Sequence, residues 1–193
     1  MITSVRFNKD FRCFKEGETF EFRPLTLLVG DQGVGKSSLI QCIRDRIRYK
    51  DRGCGKTITA ETDRQTQTLA FDFEKDSSRV KQRIECAQDI HVLFSSHGEV
   101  VNATINAVMK NDIPHTTFIM DEPDMALSIR SIVTLCELFT KMLDEGHQII
   151  TSVHNPLLIQ SFAECFNLGI KEWQTPSVFF QYMGVCDNVL LKC

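Results

Sequence analysis

The sequence predicts an α/β domain: a largely parallel sheet flanked by helices, with an antiparallel β part at the N-terminal end. Three observations carry this expectation. Short apolar runs suited to strands buried on both faces stand at 25–29, 116–120 and 148–152. Segments with helical apolar spacing alternate with them. The first third holds several short strand candidates separated by turn residues. A length of 193 residues suits one domain, and the whole chain is read as one, with roughly residues 50–110 as a small variable insert or lobe.

Taken in order, 2–6 and 18–22 read as strands around a turn at Glu16-Gly17. The nearly continuous apolar run Leu25–Val29 reads as a buried strand. A helix is expected over 35–48, with Leu39, Ile40, Ile43 and Ile47 on one face and Arg44, Arg46 and Arg48 pointing elsewhere. Residues 50–65 are polar and read as loop or hairpin. A strand is expected at 69–73, a short helix at 80–87, an apolar run of open type at 90–94, and a helix over 98–110. A helix over 127–143 places Ile132, Leu135, Cys136, Phe139 and Leu143 on one side and is closed by Gly146. A last helix is expected at 156–166; beyond Trp173 no motif is readable.

Bulk properties remove several classes. Apolar residues make up 42% and charged residues 24%, a balance that fills a core. A net charge of −3 gives no global basic field to draw the chain onto nucleic acid or an anionic membrane. No run approaches the roughly 18 apolar residues of a membrane span, and the opening residues lack a secretory apolar run, so a cytoplasmic location is expected. The 8 cysteines include no C-x-x-C pair, which argues against a zinc ribbon or a thioredoxin-like site. Reduced, buried thiols are the expectation.

Gly30-Asp31-Gln32-Gly33-Val34-Gly35-Lys36-Ser37 fits G-x-x-x-x-G-K-[ST] between a buried strand and an amphipathic helix, with Ser38 next in line. Glycines let the backbone wrap phosphate oxygens. The N–H groups at the helix start offer positive potential to an anion. Lys36 supplies a charge for β- and γ-phosphates and Ser37 a hydroxyl for Mg²⁺, so ATP and Mg²⁺ are the expected cofactors. Gly53-Cys54-Gly55-Lys56-Thr57 also contains G-K-T, but Lys50 stands where the first glycine belongs; it reads as a solvated loop. Asp121 and Glu122 end the 116–120 strand, where α/β sheets bind ligands. Asp121 is placed for Mg²⁺, and Glu122 for polarising an attacking water. His154 follows the 148–152 strand, where it can bond the γ-phosphate or that water; a solvated or capping histidine is the bland alternative.

The order of these motifs resembles the ABC ATPase superfamily. After the phosphate loop come Ser95-Ser96-His97-Gly98-Glu99, then Asp121-Glu122-Pro123-Asp124-Met125-Ala126-Leu127-Ser128, then Val153-His154-Asn155-Pro156. The set is similar to a P-loop, signature motif, Walker B with D-loop, and switch histidine. Together with Phe11-Arg12-Cys13-Phe14 it is most similar to the non-transporter branch of SMC-like, RecF-like and OLD-family-like ATPases. The resemblance implies a head-to-tail dimer closing on two ATPs, with Ser96 and Gly98 of one copy facing nucleotide held by the other. It also implies a phosphate contact for Arg12. His97 stands where transporters carry glycine, the Q-loop glutamine is not assigned, and the stretch from Ser37 to Ser96 is too short for coiled-coil arms.

The leading expectation is an ATPase with Lys36, Glu122 and His154 as its catalytic residues. A second is an ATP-gated switch or partner module with little turnover, in DNA repair or phage or anti-phage defence. A P-loop kinase and a transporter subunit are minor alternatives. Two basic clusters, Arg44, Arg46, Arg48, Lys50, Arg52, Lys56 and Arg79, Lys81, Arg83, leave DNA open as a partner against the reading of a solvated face.

Overall fold

The computed structural model describes residues 1–49, 53–63, 67–72, 115–125 and 127–184. The helices expected at 80–87 and 98–110 and the run at 90–94 lie outside the described residues, as do Ser96 and Gly98.

Two sheets organise the fold. Strands β1 (Ile2–Phe7), β2 (Thr19–Glu21) and β4 (Ile58–Thr62) form an antiparallel sheet in the order β2-β1-β4. The larger sheet also holds β3 (Leu25–Val29), β5 (Thr68–Asp72), β6 (Thr117–Asp121), β7 (Gln148–Ser152), β8 (Cys165–Asn167) and β9 (Glu172–Gln174). Its order is β5-β6-β7-β3-β8-β9, parallel throughout except for the β8–β9 pair. The helices are α1 (Lys36–Tyr49), α2 (Ile129–Asp144), α3 (Pro156–Gln160) and α4 (Pro176–Tyr182).

The central strands are apolar on both sides because both faces are covered. Leu27, Val29, Phe118, Met120 and Ile149 point into a core closed by α2, α3 and α4. Their neighbours Leu28, Ile119 and Ile150 point into a second core built with α1 and the antiparallel sheet. Period-two alternation thus divides each strand between two cores. Gln148 fastens the sheets together: its amide accepts from Ile2 N and donates to Ile2 O, both at 2.8 Å, and accepts from Thr117 Oγ1 at 2.9 Å.

Several expectations need correction. Residues 50–65 are not simply loop or hairpin: Gly53–Thr57 is a 3-10 turn packed on α1, and β4 is a strand of the antiparallel sheet. The G-K-T decoy there is not a solvated loop, since Gly55 and Thr57 are buried. The helix expected at 156–166 stops at Gln160, and Cys165 and Phe166 belong to β8. The last described residues carry β9 and α4, with Thr175 capping α4. Of the described cysteines, Cys42 and Cys165 are buried but Cys13 is exposed. Arg44 is not a solvated charge either, as its side chain lies largely buried 4.0 Å from Asp45.

At the edge of the sheet away from the motif-bearing strand ends, His147 is buried and its Nδ1 accepts from Thr116 N at 3.0 Å. Burial, reinforced by His115 and opposed by Glu145, lowers its pKa from 6.5. The folded imidazole is therefore neutral, and the unfolded chain takes up its proton first as pH falls. This stabilisation is complete above about pH 6.5 and is lost as pH drops through the lower folded value. We expect the urea midpoint to fall on acidification across that window, and the fall to be smaller in His147→Gln. Equal pH slopes in the two proteins would refute the assignment.

Candidate active site

The C-terminal ends of β3, β7 and β6, adjacent in that order, carry the glycine-rich loop, His154 and the Asp121-Glu122 pair. This is the edge at which α/β sheets gather ligands. Gly30, Gly33 and Gly35 have φ of 133°, 85° and 104°, a region that side chains other than glycine disfavour. At Gly35 the fit is also steric, since an added Cβ would collide with Cys13 Sγ and the Phe14 ring.

A knuckle in the N-terminal segment buttresses the loop. Phe11 and Phe14 exchange two backbone hydrogen bonds of 2.9 Å, and Phe14 stacks on Phe7 in the core of the antiparallel sheet. Between them, Cys13 Sγ donates to Val34 O at 3.3 Å, and Arg12 donates from Nη1 to Ser38 Oγ at 2.6 Å. Arg12 thus sits beside the first turn of α1.

Lys36 is only 5% exposed. Its Nζ donates to Gly30 O at 2.8 Å and Asp31 O at 2.9 Å. Burial lowers its pKa, while Glu122 first, then Asp31, Asp121 and Asp124 pull it back up. One buried amine facing these carboxylates is a place where an anion and a cation can be held together.

Asp121 Oδ1 accepts from Ser152 Oγ at 2.6 Å, and Ser152 Oγ accepts from Glu122 N at 2.9 Å. This crosslink holds Glu122 at a φ of 50°, which costs about 1–3 kcal/mol for a residue with a side chain. Glu122 Oε1 lies 3.0 Å from His154 Nε2, with the two side chains 31% and 48% exposed. The pair stands at the mouth of a cleft of about 270 Å³ lined by Gln32, Gly33, Gly35, Lys36, Ser37, Ser38, Glu122 and His154. Gly30, Asp31 and Gln32 border a second, more apolar cavity of about 250 Å³ against Phe179, Phe180 and Met183.

The structure therefore brings Lys36, Ser37, Ser38, Glu122 and His154 into one cleft, with Asp121 and Arg12 at its edges. Sequence reasoning assigned no role to Ser152 or Asp124. Ser152 had no signal, being one polar residue in a buried strand. Asp124 is buried, which a carboxylate in a polar loop does not announce.

Fold and cleft define a P-loop ATPase domain. The sequence profile described as AAA domain matches residues 9–119, more than half of the chain, and the chain belongs to that family. The comparison with curated proteins gives no match. Among solved structures, CbiO1 from Clostridium perfringens, part of the ABC transporter complex CbiONQ, is similar with a TM-score of 0.59 and 15% identity, over 98% of this chain and 95% of that one. A metal-chelate type ABC transporter in an inward-facing conformation gives 0.56 and 12%, over 96% and 88%. At these identities the likeness is one of fold. Among the described residues no helix is long and apolar enough to cross a membrane.

Proposed function

We propose that this chain binds ATP with Mg²⁺ and hydrolyses it, within a dimer that closes over the cleft. The observation that carries the reading is the Glu122–His154 pair, 3.0 Å apart, on the same cleft as Lys36 and Ser37. The donor set fits the ligand: a glycine-shaped loop, the N-terminus of α1 and a buried ammonium suit a polyphosphate. A serine hydroxyl and a carboxylate suit a hard cation that prefers oxygen ligands.

In this reading Lys36 exchanges its two loop carbonyls for β- and γ-phosphate oxygens. Gly33, Val34, Gly35, Ser37 and Ser38 present N–H groups to the same phosphates, and Gly30, Asp31 and Gln32 shape the loop ahead of them. Arg12 adds charge beside Ser38. Ser37 and Asp121 would hold Mg²⁺, which would supply charge neutralisation to the polyphosphate. Glu122 orients and polarises the attacking water, and His154 holds Glu122 and the γ-phosphate region in register.

Support for a dimer comes from exposure. Glu122 and His154 face solvent, whereas phosphoryl transfer gains from excluding bulk water. On the loop after Glu122 and on α2, Met125, Ile129 and Val133 present apolar side chains outward, Ile129 at 72% exposure. A second copy covering this edge completes the site, with Ser96 and Gly98 as its donors. Membership of the compact SMC-like, RecF-like or OLD-like branch, a protein partner, DNA binding and a cytoplasmic setting belong to the same reading. The test is phosphate release by purified protein given Mg²⁺ and ATP, expected to vanish on chelation with EDTA. Protein that binds ATP yet releases no phosphate above background would overturn it.

A further inference from the structure

Glu122 and His154 come from different strands, so their 3.0 Å approach depends on how the loops after β6 and β7 are fastened together. Ser152 is one fastener, at the base. Asp124 is the other, farther out. Its side chain is 4% exposed, and its Oδ2 accepts from His154 N at 2.7 Å and from Asn155 N at 2.5 Å. Its Oδ1 is buried with no hydrogen-bond partner among the described residues. Burying a carboxylate with one oxygen unpaired is costly. What it secures is the backbone of two successive residues that α3 cannot satisfy, because both precede its first turn. Asn155 is the N-cap of α3, and its own side chain is turned to Leu157 N.

The geometry points to Asp124 as a positioning residue for hydrolysis. It pins the His154 backbone so that the imidazole meets Glu122, and it acts through His154 rather than on the nucleotide. Geometry outweighs charge here, since among the carboxylates that act on Lys36 the influence of Asp124 is the smallest. The inference rests on the cleft being an ATPase site.

The test compares Asp124→Ala, Asp124→Ser and Asp124→Asn by steady-state hydrolysis and by calorimetric ATP binding. Alanine removes the oxygen that accepts both bonds; kcat is expected to fall about 10- to 100-fold, the scale of a catalytic group misplaced by an ångström, with ATP affinity held. Serine reaches at most one N–H and is expected to lose less, which also covers an alanine variant that fails to fold. Asparagine keeps an acceptor oxygen and is expected to keep most of kcat. In a His154→Ala background, Asp124→Ser is expected to cost little more, a non-additivity that a merely structural role does not produce.

Wild-type turnover from Asp124→Ser and Asp124→Ala overturns the inference. So does equal loss of binding and turnover, or an asparagine variant as slow as the alanine variant. If all of this fails while wild-type protein hydrolyses ATP and Glu122→Gln does not, only the role of Asp124 falls. If wild-type protein binds ATP without turnover, the ATPase reading falls with it.

Discussion

Lys36→Ala is expected to weaken ATP binding by about 100-fold or more and to take turnover with it. A charge-assisted hydrogen bond is worth about 1.5–3 kcal/mol, or roughly 10- to 150-fold in affinity. The site adds to this, because Lys36 is the buried cation of a cleft that Glu122, Asp31 and Asp121 make negative. Without it, a triphosphate meets like charges across a partly desolvated space. The control is Lys56→Ala in the second G-K-T. Lys56 is exposed on the 3-10 turn, and Gly55 beside it is packed against the backbone of α1 at Asp45 and Arg46. Calorimetry with ATP is expected to separate the two variants cleanly. Equal binding by Lys36→Ala and wild-type protein would remove the basis for the functional reading, and loss of binding in Lys56→Ala would move the site.

The parts of this fold that were legible share one physical feature, burial on both faces. Leu25–Val29 and Gln148–Ser152 are found where their apolar runs predict them, and β6 is one residue out. A sequence on the outside of a sheet carries less. β4, Ile58-Thr59-Ala60-Glu61-Thr62, has one buried residue and otherwise reads as polar loop, so only its pairing with β1 reveals it. Periodicity also fails where a short apolar run changes role. Leu158 and Ile159 belong to α3 and Cys165 and Phe166 to β8, but the run between them reads equally well as one helix. In the candidate site, the structure gathers residues that spaced motifs single out, whereas their partners across the sheet carry no such signal. Asp124 reaches His154 from thirty positions away in sequence, and Ser152 bridges Asp121 and Glu122. No single-sequence pattern encodes such pairings.

Glu122→Gln separates binding from chemistry. The amide matches the carboxylate in shape, so it can keep the contact with His154 Nε2 and leave the Ser152 crosslink at the Glu122 backbone intact. It cannot polarise water as an anion does. General-base catalysis contributes about 10²–10⁴ in rate, and a loss of that size in kcat is expected. ATP affinity is expected to hold or to rise, since the amide removes the carboxylate with the strongest pull on Lys36. If ATP closes a dimer as proposed, nucleotide that stays bound and unhydrolysed keeps it closed, and size-exclusion chromatography with Mg²⁺ and ATP is expected to show a dimer that is shorter-lived in wild-type protein. Gln turnover at the wild-type rate would remove Glu122 from the chemistry. A slow variant that remains monomeric with ATP bound would leave the hydrolytic role in place and refute the dimer, because a filled cleft would then not need a second copy to close it.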